Sequence, residues 1–186
     1  MSNRLQYGTT AKLFHWLIVV LLIVQYLIGW LMPDIHRGDT PGAPMTFHVS
    51  VGIGILVLIV LRLVWRLTHP VAPESSLPPW QRLTSQAVHW MLYALVLVTT
   101  VTGWLFASFR GWSLSFFYLA PLPMLASDNK AAGKFIDGWH QAAEWTLLSF
   151  IGIHVAAALV HLFVYRDRIM QRMLPGHTRN PTGKAM

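Results

Sequence analysis

The 186-residue chain contains no cysteine. That excludes disulfides, thiolate zinc sites, iron–sulfur clusters and covalently attached c-type haem. Charge is nearly as scarce: 11% of the residues are Asp, Glu, Lys or Arg, where a soluble domain carries about 25%. Acid is the scarcer sign, with seven Asp and Glu against fourteen Lys and Arg, a formal net charge of +7. Nucleic-acid-binding proteins are basic but also rich in charge, so no nucleic-acid partner is expected. Short loops beside a membrane are a better home for the surplus. What fills the chain is apolar: 54% hydrophobic residues and a mean hydropathy of +0.48. So much apolar surface is incompatible with disorder and marks a membrane protein.

A bilayer core about 30 Å thick needs roughly 20 apolar residues in a helix. Four stretches qualify: Leu13 to Met32, Met45 to Leu67, Ala87 to Phe109, and Trp139 to Tyr165. They predict an all-α membrane protein, a four-transmembrane-helix bundle, as a single domain over 1–186. The links at 33–44 and 68–79 hold prolines that stop a helix. Gly111 to Ala126 is uncharged and aromatic but carries Pro121 and Pro123, so it reads as an interfacial segment lying on the bundle. Leu13 to Met32 is long for a signal peptide and has no convincing small-residue cleavage site, so it is expected to stay.

Basic residues set the orientation. Ten fall on the side of the two termini and the second link: Arg4, Lys12, Arg62, Arg66, Arg82 and the five from Arg166 onward. The opposite side has Arg37, Arg110, Lys130 and Lys134. The positive-inside rule then puts both termini in the cytoplasm of a bacterial inner-membrane protein, with lipid as its surroundings.

Nine histidines remain to be explained. His36, His69 and His177 fall in loops or the tail and read as solvated. The other six lie in or at the ends of the spans, where an ionisable group is expensive and usually functional. His140 and His154 are 14 residues apart, so they share a helix face to within ~40° and are separated by about 21 Å along the axis. His161, seven residues on, continues that face. His15 and His48 sit near opposite ends of the first two helices. The arrangement offers pairs of imidazoles at two depths, which suits haem iron between facing helices. Zinc would want three or four ligands at one point. His48 with His140 makes one pair; depth counting leaves His15 to meet either His154 or His161.

The runs Phe47-His48-Val49-Ser50-Val51-Gly52-Ile53-Gly54, Phe14-His15-Trp16-Leu17, Gly138-Trp139-His140 and Gly152-Ile153-His154-Val155-Ala156-Ala157-Ala158-Leu159-Val160-His161 resemble the bacterial cytochrome b561 family over nearly the whole chain. The resemblance implies four transmembrane helices enclosing two b-type haems. It implies His15 and His154 as ligands of the cytoplasmic-side haem iron, and His48 and His140 as ligands of the outer one.

Among small members, the chain is similar to superoxide:ubiquinone oxidoreductases, or superoxide oxidases. That likeness implies electron entry from superoxide at the outer face and ubiquinone as the acceptor. Arg110, Lys130 and Lys134, with Arg37, become candidates for steering the superoxide anion, although Asp34, Asp39, Asp128, Asp137 and Glu144 share their side. His161, then His89 with Gln86, become the quinone-side candidates. Arg62 could pair with haem propionates, whereas Arg66 is better explained by the charge rule. Gly29, Gly52, Gly54, Gly103 and Gly152 allow close approach, and Gly52, one turn after His48, is the expected haem neighbour. The tryptophans mostly form an interfacial belt. The competing reading is an electron carrier joining a partner dehydrogenase or periplasmic redox protein to the quinone pool. A haem-free transporter with incidental histidines is a third.

Overall fold

The computed structural model describes residues 7–33, 35, 40–71, 77–167 and 169–174. Arg4, Asp34, His36, Arg37, Asp39, Arg168, His177, Arg179 and Lys184 lie outside them. Four long helices follow in chain order: α1 (Thr9–Leu31), α2 (Ala43–Thr68), α3 (Pro79–Phe109) and α4 (Lys130–Val160). A five-residue π turn, His161–Tyr165, extends α4, and a single 3-10 turn, Met170–Arg172, follows it. In lipid the backbone must satisfy its own hydrogen bonds, so these apolar runs have no alternative to the helix. All four are long and apolar enough to cross a membrane.

All four helices start earlier than hydropathy predicts, and two by the most: α3 at Pro79 rather than Ala87, and α4 at Lys130 rather than Trp139. Pro79 sits in the first turn, where its missing N–H removes no intrahelical bond. Asn129 caps α4 by accepting from the Ala132 N–H at 3.1 Å. Hydropathy reports where the hydrocarbon begins; the hydrogen-bond ladder begins a turn or two before it. Lys130 and Lys134 therefore ride on helix rather than in a loop.

At the far end of α3, Gly111 adopts a left-handed φ of +67°. Its N–H reaches the Ser108 carbonyl while the Trp112 N–H reaches that of Ala107, a Schellman ending. The chain then makes a two-stranded hairpin, β1 (Ser115–Phe116) with β2 (Ala120–Pro121). This is more than an interfacial segment lying on the bundle, because Trp112 and Leu114 are buried with Met45, Val49 and Ala107. The turn holds Phe117 and Tyr118 at φ of 47° and 61°, a strained region for bulky residues. Ser50, wholly buried on α2, secures it by accepting from the Phe117 N–H at 2.8 Å. Ser108 does the same for Leu125 at 3.1 Å.

The hairpin closes one end of the bundle, called here the hairpin end. Residues from both termini share the other, the terminal end. Backbones approach closely between α1 and α2, α2 and α3, and α3 and α4. A core of Ile18, Val51, Ile55, Ile59, Tyr93, Val96 and Leu147 lies between the ends, while Val20, Ile23, Leu27, Val57 and Val64 face outward as a lipid surface.

Replacing Ser50 by Ala strands the Phe117 N–H. The expected loss is about 1–3 kcal/mol, read as a lower midpoint of thermal unfolding in detergent, with protease cleavage appearing first in residues 112–122.

Candidate functional site

His48 enters from the second turn of α2 and His140 from the third turn of α4. Their ring centres are 6.5 Å apart at an interplanar angle of 83°. His140 Nδ1 lies 2.9 Å from the Thr99 carbonyl on α3, with the Thr102 hydroxyl at 3.3 Å. A carbonyl only accepts, so Nδ1 carries the proton and Nε2 keeps its lone pair. On the other side, Gln25 Nε2 lies 3.1 Å from His48 Nε2. An amide nitrogen only donates, so His48 Nε2 is likewise the acceptor. Buried Gln25 Oε1 and His48 Nδ1 have no partner among the described residues.

Glycine makes room for both rings. A Cβ at Gly103 would stand 2.8 Å from His140 Cε1, and one at Gly29 would stand 3.4 Å from His48 Cε1. At Gly52, expected beside the cofactor, a Cβ would stand 3.4 Å from the Nε2 of Gln25, the residue bonded to His48.

At the terminal end, His15 on α1 faces His154 on α4, with ring centres 6.3 Å apart at 77°. His89 on α3 stands edge-on to His154 at 5.2 Å. Its Nδ1 lies 2.6 Å from the Ser85 carbonyl, which fixes the proton there. The Arg62 guanidinium is within electrostatic reach of all three imidazoles, and its Nε donates to the Tyr93 hydroxyl at 2.8 Å. Arg66 lies over the Trp90 and Tyr93 rings at 5.0 and 5.3 Å. His161 does not join this group: Asp167 Oδ2 is 2.5 Å from its Nδ1, and Tyr165 is its ring neighbour.

A metal–imidazole bond is about 2 Å and a ring nitrogen about 1.1 Å from its ring centre, so two imidazoles sharing an iron stand about 6.2 Å apart. Both pairs, at 6.3 and 6.5 Å, fit that spacing, whereas 5.2 Å between His89 and His154 is too short. Both pairs also span helices that stand apart, α1 from α4 and α2 from α4, rather than the closely packed neighbours. The gap, the unprotonated Nε2 of His140 and the glycine cradles together suit a planar group held edge-in between helices. Among the described residues no cluster of three or more His, Asp or Glu suits a bare metal ion.

The charged candidates at the hairpin end scatter. Arg110 donates to the Ile35 carbonyl at 3.1 Å and lies over the Trp112 ring at 4.7 Å. Lys130 and Lys134 are exposed. Lys134 lines an open groove with Phe135, Gly138 and Trp139 on the outward face of α4, about 120° around the helix from His140. Two residues stand out only in three dimensions. Lys12 counts in the sequence as one basic residue among ten, yet it is 6% exposed. Asp167 shows no sequence signal at all. The available hint for Lys12 is its position three residues before His15, which puts it on nearly the same helix face.

A family model for prokaryotic cytochrome b561 matches residues 6–176. The chain is 29% identical over 172 residues to cytochrome b561 homolog 2 of Escherichia coli K12, covering 91% of each chain. It is 30% identical over 162 residues to a probable superoxide oxidase, CybB, of Yersinia pestis, covering 87% of this chain and 91% of the relative. It is also 25% identical over 181 residues to cytochrome b562 of Cereibacter sphaeroides, covering 94% and 98%.

Gly103→Ala pushes its methyl into His140, so the haem-to-protein ratio of the purified protein is expected to fall. Gly54→Ala, where a Cβ meets nothing within 4 Å, leaves that ratio unchanged. A pyridine haemochrome assay on both variants checks the contrast.

Proposed function

The chain belongs to the prokaryotic cytochrome b561 family, multi-pass membrane cytochromes that transfer electrons by b-type haem, and we propose that it joins superoxide at one membrane face to ubiquinone at the other through two haems. The observation that carries this reading is the pair of imidazole pairs at two depths, each at the spacing an axially ligated iron requires. His48 and His140 would hold one haem iron, and His15 and His154 the other. Bound haem with two imidazole ligands supplies one-electron transfer and keeps no open position for a ligand. Thr99 fixes the His140 tautomer, and Gly29 and Gly103 leave the rings space. Arg62 supplies positive charge beside the second pair, where haem carboxylates need it.

The termini lie in the cytoplasm, by the ten-to-four distribution of basic residues, so the hairpin end is the outer face of a bacterial inner membrane. Two superoxide anions each give up one electron there and leave as dioxygen. One ubiquinone takes the two electrons, with two protons from the cytoplasmic side, and becomes ubiquinol. Exposed Lys130 and Lys134 add positive charge where the anion arrives, with Arg110 beneath the hairpin. His161 and His89 are the quinone-side imidazoles. Asp167 accepts from His161 Nδ1, which leaves Nε2 to exchange a proton with the substrate. The likeness to the probable superoxide oxidase of Yersinia pestis supports this donor.

One observation favours a second reading. Arg110 is committed to the Ile35 carbonyl and Lys134 to the outward face of α4, which weakens the steering of a small anion. A carrier that accepts electrons from a docked partner protein and passes them to the quinone pool needs no such steering.

Purified protein with oxidised haem is mixed with a pulse of superoxide, then with ubiquinone. Rapid reduction followed by reoxidation is the expected result. Haem that dithionite reduces but superoxide does not would overturn superoxide as donor and favour the carrier. Protein without a haem spectrum would overturn both.

A further inference from the structure

Of the three lysines in the described residues, Lys12 alone is buried. An ammonium carries three N–H donors, and taking one out of water is expensive unless acceptors surround it. Among the described residues Lys12 has one acceptor, the Leu174 carbonyl, 2.9 Å from its Nζ. Two donors are therefore left over in a buried place, with no carboxylate bonded to them.

The segment supplying that carbonyl is itself tied across the bundle. Arg166 turns the chain with a left-handed φ of 50°. Asp167 then accepts from the Ile169 N–H at 3.0 Å through Oδ1 while its Oδ2 takes His161. After the 3-10 turn, the Met173 carbonyl accepts from Trp16 Nε1 at 2.8 Å, next to the Lys12–Leu174 bond. Arg172 lies over the Tyr7 ring at 5.6 Å. Residues 169–174 thus run as a strap against the start of α1. They bridge the same α1–α4 gap in which His15 and His154 face each other.

Depth along the helices sets the two polar groups under the strap. Lys12 lies about 4.5 Å beyond the level of His15, and His161 about 10.5 Å beyond that of His154. Both groups therefore lie on the terminal side of the His15–His154 pair, toward the same membrane face.

We propose that Lys12 is a hydrogen-bond donor to one carbonyl oxygen of the quinone, with His161 at the other, and that residues 169–174 form the lid of that slot. This rests on the reading of ubiquinone as the acceptor and assigns its binding residues. The resting contact suits the role. Lys12 exchanges one neutral carbonyl, that of Leu174, for another on the substrate, so opening the strap breaks no ion pair. The ammonium favours the electron-rich oxygen that develops as the ring is reduced. Lys12 binds and orients; the two electrons and two protons of the reduction come from the haem side and from water, as above.

The test uses full-length, haem-loaded protein in detergent, reduced beforehand. Reoxidation by a short-chain ubiquinone is followed against quinone concentration, and reoxidation by ferricyanide, which needs no slot, is followed in parallel. Lys12→Met is expected to raise the quinone concentration for half-saturation about tenfold or more, with the haem spectrum and the ferricyanide rate unchanged. Lys12→Arg is expected to keep most of the wild-type affinity. Trp16→Phe loosens the strap, keeps Lys12, and is expected to speed quinone exchange.

Wild-type saturation in Lys12→Met overturns the proposal while leaving ubiquinone as the acceptor. A shifted haem spectrum or potential with unchanged quinone dependence also overturns it, assigning the ammonium to a haem carboxylate. Unchanged exchange in Trp16→Phe removes the lid. Wild-type protein that ferricyanide reoxidises and quinone does not would overturn the acceptor reading itself, and this assignment with it.

Discussion

The His48 and His140 imidazoles face each other across an apolar interior, their ring centres 6.5 Å apart, and the spacing of the helices that carry them is what the bundle must hold. A bilayer supplies no water to stand between the rings, so each takes its hydrogen bonds from its own side of the gap. In this structure the inward orientation is imposed from behind at His140, whose Nδ1 proton is taken by the Thr99 carbonyl. Across the gap the Gln25 amide donates to His48 and leaves its own carbonyl oxygen buried without a partner. The lone pair on His140 Nε2 is the one these hydrogen bonds leave for a metal between the rings. Helix spacing follows: α4 stands away from α1 and α2 at the two levels where the histidines meet, while α2 and α4 pack closely on α3.

The rest of the bundle holds that separation. Without water there is little hydrophobic drive between helices in lipid, so packing and specific hydrogen bonds must fix their positions. At the hairpin end two buried serines, Ser50 and Ser108, each accept a backbone N–H from the segment between α3 and α4. The strained left-handed pair Phe117 and Tyr118 persists because those bonds and the buried Trp112 and Leu114 over-determine the turn. Near the other level, Arg62, Tyr93 and Arg66 bind α2 to α3 through a hydrogen bond and cation–π contacts. Both ends are thus cross-braced beside a histidine pair.

The two ends differ in how they hold charge. Positive groups at the hairpin end are either exposed, as Lys130 and Lys134 are, or engaged with carbonyl and aromatic partners, as Arg110 is. At the terminal end a lysine is buried against one carbonyl and a histidine is paired with a carboxylate. Exposed charge acts on an approaching ion over a Debye length, whereas buried donors act on a ligand in contact.

Period and composition alone determined the spans, because an uncharged apolar run of about 20 residues has one stable form in a bilayer. They determined the two-level pairing as well: a 14-residue spacing puts His140 and His154 on one face of any straight helix. Hydropathy did not mark where α3 and α4 begin, because Pro79 and Asn129 act through capping geometry. Which imidazole meets His15 was left to the tertiary structure, since depth counting cannot resolve tilt; the fold puts His154 opposite and turns His161 to Asp167. The glycines beside the rings are Gly29 and Gly103 rather than Gly52, because close approach depends on the partner helix. Lys12 and Asp167 acquired meaning last of all. Lys12 meets Leu174, and a contact between the two ends of a chain is set by packing, whereas Asp167 meets His161, six residues before it, through the π turn and the left-handed bend at Arg166.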